Sequence, residues 1–271
     1  MGAEGRERDS STVGIAVEGV DVSATQAKKA AISKIDELMQ EAEKALQKTD
    51  YFQAEKAARQ ALHMAYEAHD YDRMARVLLP LQEARRQKRQ AAADSGKIFN
   101  VDSYEQLEKI MRGGKNAVCG CYVVEPPLVG ADGRMLRDRL DELAKPAIVV
   151  VREPKTQLGL WPVVMIGPIT VRTRVKPPKK LSVQWVLAAG EALGDEAISS
   201  VDGEMAAADR VTAFMERLAT VVDHEKLCQA LGEACKHAER EAAEEALKPK
   251  KTAPRPAEED EGFGEDAEDE I

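Results

Sequence analysis

Between residues 32 and 81, apolar side chains return every three or four positions. Ile32, Ile35, Leu38, Met39, Ala42 and Leu46 fall on one side of a helix from Ala24 to Lys48. Ala54, Ala57, Ala58, Ala61, Leu62 and Ala65 do the same over Tyr51 to Ala68, and Met74, Leu78 and Leu81 over Tyr71 to about Ala93. Pro80 lies inside the third helix, where it removes a backbone donor and crowds the preceding turn, so a kink is expected there. Gly96 closes that helix after Arg85, Arg86, Lys88 and Arg89, whose charges suit the negative end of the helix dipole.

From residue 97 the period changes. KIFNV reads as a short strand, and Ser103 with Gln106 forms a capping-box start for a helix to about Arg112, ended by Gly113 and Gly114. A strand follows at Ala117 to Val124, a turn at Pro126 to Gly133, and a helix from Arg134 to Ala144. The run AIVVV at 147–151 is a buried strand by composition, and two more strands fit Val163 to Ile166 and Ile169 to Val175. Alternating strand and helix argue for parallel pairing with right-handed crossovers, with the last two strands antiparallel. Beyond Pro178 helices return at about 182–193, 204–222 and 224–246.

The pattern therefore predicts an α+β or α/β protein. It has an N-terminal three-helix segment, a central mixed sheet of about four to five strands with flanking helices, and a C-terminal helical cap. The expected division is a disordered arm (1–23), a helical segment (24–96), a sheet domain (97–180), C-terminal helices packing on the sheet (181–247) and a disordered tail (248–271).

Asp50-Tyr51 and Asp70-Tyr71 repeat one dipeptide at a twenty-residue interval. Together with Ala42, Ala54, Ala58, Ala61 and Leu62, this pattern resembles the tetratricopeptide repeat over about residues 35–92, as one to one and a half divergent repeats. Ala45 stands where that family favours Tyr, and Tyr66 where it often has Pro. The resemblance implies antiparallel helices brought close by small residues, and a concave face that takes partner peptides once about three units stack. A helical hairpin that packs on its neighbours or dimerises satisfies the same pattern.

Hydrophobic residues make up 44 % of the 271 but aromatics only 4 %, so the core must come from Ala, Leu, Val, Ile and Met. The net charge of −9 is local. Residues 258–271 hold nine acids and no base, and without them 39 acids face 39 bases. No run approaches a membrane span and no signal-peptide pattern opens the chain, so no membrane association and a cytoplasmic location are expected. Cys119, Cys121, Cys228 and Cys235 are too few and too irregular for a disulfide scaffold, and reduced thiols are expected.

Candidate chemistry is sparse. Cys119 and Cys121 share a strand face, but two ligands complete no zinc site and buried inert thiols explain them. His224, Cys228, Cys235 and His237 cannot close around one ion from a single helix, so no metal is expected. Gly113-Gly114-Lys115 follows a helix and precedes Asn116, which is the wrong context for a phosphate loop. Gly130, Gly133, Arg134 and Arg137 are better placed, after a strand and at a helix start where backbone donors attract anions, although an N-cap Asp132 and a turn glycine would give the same pattern.

Arg172, Arg174, Lys176, Lys179 and Lys180 form a basic stripe. It fits a solvated strand face, nucleic-acid phosphates, or masking by the chain's own acidic tail. Glu125, Arg152 and Glu153 sit near strand ends and fit turn charges. No catalytic motif and no cofactor signature is present, so catalysis is the weaker expectation. The leading reading is a non-catalytic adaptor or assembly protein that binds an unidentified protein partner or itself. The alternative is a small-ligand or phosphate-binding protein, possibly enzymatic, with its site near Gly130 to Arg134, followed by nucleic-acid association through residues 172–180.

Overall fold

Asp50 and Asp70 hold equivalent posts. In the computed structural model, which describes residues 18–247, each caps a helix: Asp50 Oδ1 accepts from the Gln53 amide at 3.2 Å and Asp70 Oδ1 from the Arg73 amide at 3.0 Å. The helices they open are α2 (Tyr51–Glu67) and α3 (Tyr71–Asp94), and both corners are built alike. Thr49 and His69 take the left-handed conformation with φ of 59° and 52°, and the Asp50 and Asp70 amides each reach back 2.9 Å, to the carbonyls of Ala45 and Ala65. The Asp-Tyr echo is thus one helix-to-helix corner made twice.

Before them runs α1 (Glu18–Gln47), which begins six residues ahead of the expected start and so takes in part of the expected arm. No proline interrupts Glu18 to Ala24, and each added helical residue contributes a hydrogen bond once the helix is nucleated. Residues 1–17 and 248–271, with the rest of the expected arm and all of the expected tail, lie outside the described residues. Ala42, Ala45, Ala54, Ala57, Ala58, Ala61 and Ala65 are buried where α1, α2 and α3 meet, which is how a chain poor in aromatics packs helices closely. Arg73 secures the entry to α3, bonding Asp36 on α1 at 2.8 and 3.1 Å and Asp70 at 2.8 Å. Helix α3 continues unbroken past Pro80 to Asp94.

The sheet follows, from β1 (Ile98–Val101), α4 (Tyr104–Met111), β2 (Gly120–Val124), α5 (Gly130–Glu142), β3 (Ala147–Arg152), β4 (Trp161–Ile166) and β5 (Thr170–Val175). Its order is β1-β2-β3-β4-β5, with β1, β2 and β3 parallel and β4 and β5 each antiparallel to the strand before. This is the expected mixed five-stranded sheet with flanking helices. Alternation divides its faces. Tyr122, Val124, Val149 and Val151 meet α4 and α5, while Cys121, Val123, Ile148 and Val150 look the other way.

That second face is covered by α6 (Val183–Ser199) through Val186, Ala189 and Leu193. Then come α7 (Ala207–Thr220) and α8 (Glu225–Leu247). Helix α8 lies along α3, so one hydrophobic core runs from α1 through α2, α3 and α8 to the sheet. No helix among the described residues is long and apolar enough to cross a membrane.

The two corners can be tested by melting. Thr49→Gly should stabilise by about 0.5–1 kcal/mol, because a β-branched residue is strained at positive φ. Asp70→Ala should destabilise by about 1 kcal/mol or more, since the cap and an Arg73 partner are lost together. Equal melting temperatures for both variants and the wild type would contradict this reading.

Candidate functional site

Glu55 interrupts the alanine face of α2 and is only 3 % exposed. A lone buried carboxylate would be costly, so cations gather on it. From α3, Arg85 Nε donates at 2.9 Å and Lys88 Nζ at 2.6 Å, and Lys88 also lies 4.2 Å above the Phe52 ring. Burial alone would raise the Glu55 pKa, but Arg85 and Lys88 outweigh it and hold the carboxyl far below its usual range. Lys88 bridges onward to Asp141 on α5, and from the same helix Arg137 forms a two-pronged pair with Asp223, one bond 2.9 Å long. Six charges, three of each sign, thereby join α2, α3, α5 and the turn before α8.

The basic cluster at the end of α3 therefore acts differently from the expectation drawn from the helix dipole. Arg85 and Lys88 point inward to Glu55, Arg89 reaches Glu191 on α6 at 2.8 Å, and Arg86 alone of the four is exposed. The physical reason is that a buried carboxylate attracts a cation more strongly than a partial charge at a helix end does.

With α3 and α8 fixed, an open groove of about 760 Å³ lies between them. One wall is α3 from Tyr71 to Gln82, the other α8 from Cys228 to Arg240, with positions recurring at helical steps on both. Leu78 is buried at its base, whereas Leu79 is 72 % exposed. Pro80 leaves the Arg76 carbonyl without its helical donor, so an acceptor lies beside this apolar surface. Asp72, Arg76, Glu233, Lys236, Glu239 and Arg240 give the rim both signs of charge.

Gly130, Gly133, Arg134 and Arg137 do converge on one small cavity of about 30 Å³. Helix α5 starts at Gly130, four residues earlier than expected, because both glycines serve close packing and not a turn. A Cβ at Gly133 would lie 2.1 Å from Val151 Cγ2, and one at Gly130 2.5 Å from Ile166 Cδ1. The N-cap is Val129 and not Asp132 as expected; Asp132 is the third residue of the helix, and its carboxylate accepts from the Val129 amide at 2.8 Å. Arg134 bonds Asp138 at 2.9 Å and the Ala219 carbonyl at 2.8 Å, and Arg137 is held by Asp223. Glu55, Asp138 and Asp141 line the same cavity, so the arginine charges there are matched by acids.

Of the basic stripe only Arg172 and Arg174 lie on the edge strand β5, which ends at Val175; Lys176, Lys179 and Lys180 follow it in the connection to α6, all five are exposed, and Arg172 pairs with Glu153 at 2.7 Å. Charges along an edge strand also discourage pairing with other chains. Arg152 pairs with Glu125 and stacks 4.6 Å over Trp161. Cys121 is buried and its thiol is pushed up to about 11 by burial; Cys119 donates to the Ala91 carbonyl at 3.4 Å and is raised by burial too. Cys228 and Cys235 face α3 from within the core, burial pushing Cys235 up to about 12, while His237 points to solvent and His224 precedes α8.

Compared with known protein families, curated proteins and solved structures, the chain matches none of them.

Glu55→Gln should cost about 3–5 kcal/mol at neutral pH, because it strands Arg85 and Lys88 in the interior. The pH dependence follows from the sign of the shift. The unfolded chain titrates near the ordinary 4.5 and the folded one far lower, so the Glu55 contribution is complete above pH 4.5 and fades below it. The gap between wild type and variant should shrink by about 1.4 kcal/mol per pH unit as the pH falls through that region, measured by urea unfolding. A constant gap would refute the assignment.

Proposed function

We propose that the protein is a non-catalytic adaptor that receives an amphipathic helix of a partner protein in the groove between α3 and α8. The observation that carries this reading is Leu79, a large apolar side chain 72 % exposed on the wall of a 760 Å³ groove. Exposed apolar surface rimmed by charge marks interaction sites. The walls span about twelve residues each, or roughly 18 Å at helical rise, which accommodates about three turns of a guest helix with apolar side chains at every third or fourth position. The rim, with acids and bases interspersed, suits a guest whose polar face carries both signs.

Other observations support binding over catalysis. The thiols of all four cysteines are raised by burial, which makes them poor nucleophiles. The cavity at Gly130 to Arg137 is far smaller than the groove, and its charges are spent on one another. Tetratricopeptide-like helices are a fitting scaffold, with α8 lying along α3 as a further helix of such an array.

The test is site-specific photocrosslinking in the native cell, from a benzoyl-phenylalanine at Gln82 in the groove and from one at Glu105 on α4 as control. One protein should crosslink from Gln82 and not from Glu105. Adding Leu79→Asp should abolish that product while the circular dichroism spectrum is unchanged. Persistence of the product with Leu79→Asp, or the same products from both positions, would overturn the proposal.

A further inference from the structure

Helix α6 carries Glu191 and Asp195 one turn apart, so both carboxylates project from the same side. Opposite them stands His224, from the turn before α8, and one ligand atom from each of the three lies within 4.8 Å of the others. His224 is 2 % exposed. Its ring rests directly on α6, where a Cβ at position 194 would come 2.0 Å from Cγ, so glycine is required there. The imidazole Nε2 faces Glu191 Oε2 at 3.1 Å and Asp195 Oδ1 at 3.5 Å, yet neither ring nitrogen has a hydrogen-bond partner.

A buried imidazole with both nitrogens unpartnered calls for an explanation. With the ring proton on Nδ1, the Nε2 lone pair is directed at the two carboxylate oxygens and is repelled unless positive charge lies among them. At present that charge comes from the side. Lys226 Nζ lies 2.8 Å from Asp195 Oδ1 and 3.7 Å from Glu191 Oε2, on a side chain more than half exposed that can swing away. Arg89 holds the other Glu191 oxygen at 2.8 Å, fixing that carboxylate in the way outer partners orient metal ligands.

We propose that Glu191, Asp195 and His224 bind a divalent transition-metal ion. One imidazole and two carboxylates suit Mn²⁺, Fe²⁺, Co²⁺ or Zn²⁺, and the half-exposed Asp195 side leaves room for water to complete the coordination. Lys226 competes for the same place, its ammonium occupying the approach to both carboxylates. Because His224 adjoins the start of α8, the ion ties α6 to the helix that forms one wall of the α3/α8 groove. The metal site stands independently of what that groove binds.

Co²⁺ is the probe, added to the full-length protein. One equivalent should shift the ring-proton resonances of a single histidine and give visible d–d bands without the near-ultraviolet thiolate band that cysteine ligation produces. Asp195→Asn, at a half-exposed position, should weaken Co²⁺ binding at least about ten-fold. Lys226→Ala should tighten it, since the competing ammonium is gone. Equal Co²⁺ affinity in wild type and Asp195→Asn would place the ion elsewhere on this acid-rich chain and overturn the assignment. So would the absence of binding in both wild type and Lys226→Ala.

Discussion

A carboxylate set among alanines must be compensated or it will not stay ionised, and for Glu55 the compensation determines how this chain assembles. Arg85 and Lys88 can reach it only if α3 lies against α2 in one register. Lys88 then has a donor left for Asp141, which draws in α5 and with it the sheet. Arg137, one turn before Asp141 on the same helix, fixes Asp223 and so the approach to α8. Apolar burial supplies most of the driving force, but alanine faces slide easily against one another. The ion network selects a single arrangement among those that alanine packing would tolerate.

Two further features lie on either side of α3 and follow from that arrangement. On one side α8 lies along α3 and the two leave an open groove at the surface with Leu79 on its wall. On another, Arg89 extends to Glu191 and completes the setting in which His224 meets two carboxylates. Both depend on the chain around Asp223 and His224, which Arg137 holds from α5. A groove wall and a cluster of metal-ligand types thus share one anchored turn.

Much of the architecture was legible because burial imposes period on sequence. The alanine steps from 54 to 65 gave α2, and the AIVVV run gave β3, since each pattern has one compact solution. The Asp-Tyr echo was also real, although its meaning is a capped corner with a left-handed residue before it, which local sequence can signal. The partners of α3 were harder. Arg85, Arg86, Lys88 and Arg89 look like an exposed basic end, and nothing local distinguishes the two that turn inward. The available signal was Glu55, a single acid on a face otherwise built of alanine. Gly130 and Gly133 were misplaced as turn residues because close contact with Ile166 and Val151 exists only after the sheet forms. His224 with Glu191 and Asp195 lay beyond reach for the same reason: the two carboxylates are some thirty residues upstream, on another helix, and only the pairing of Glu191 with Asp195 at four-residue spacing hinted at them.

Native-state hydrogen exchange tests most directly whether helices and sheet are one body joined through this network. Amides in α2 and α3 should open with the same free energy as those in β2 and β3, and respond to urea with the same slope, as expected of one cooperative unit. Opening of residues 51–94 at a much lower free energy than the strands would show that the ionic junction does not bind the two parts, and would contradict the account.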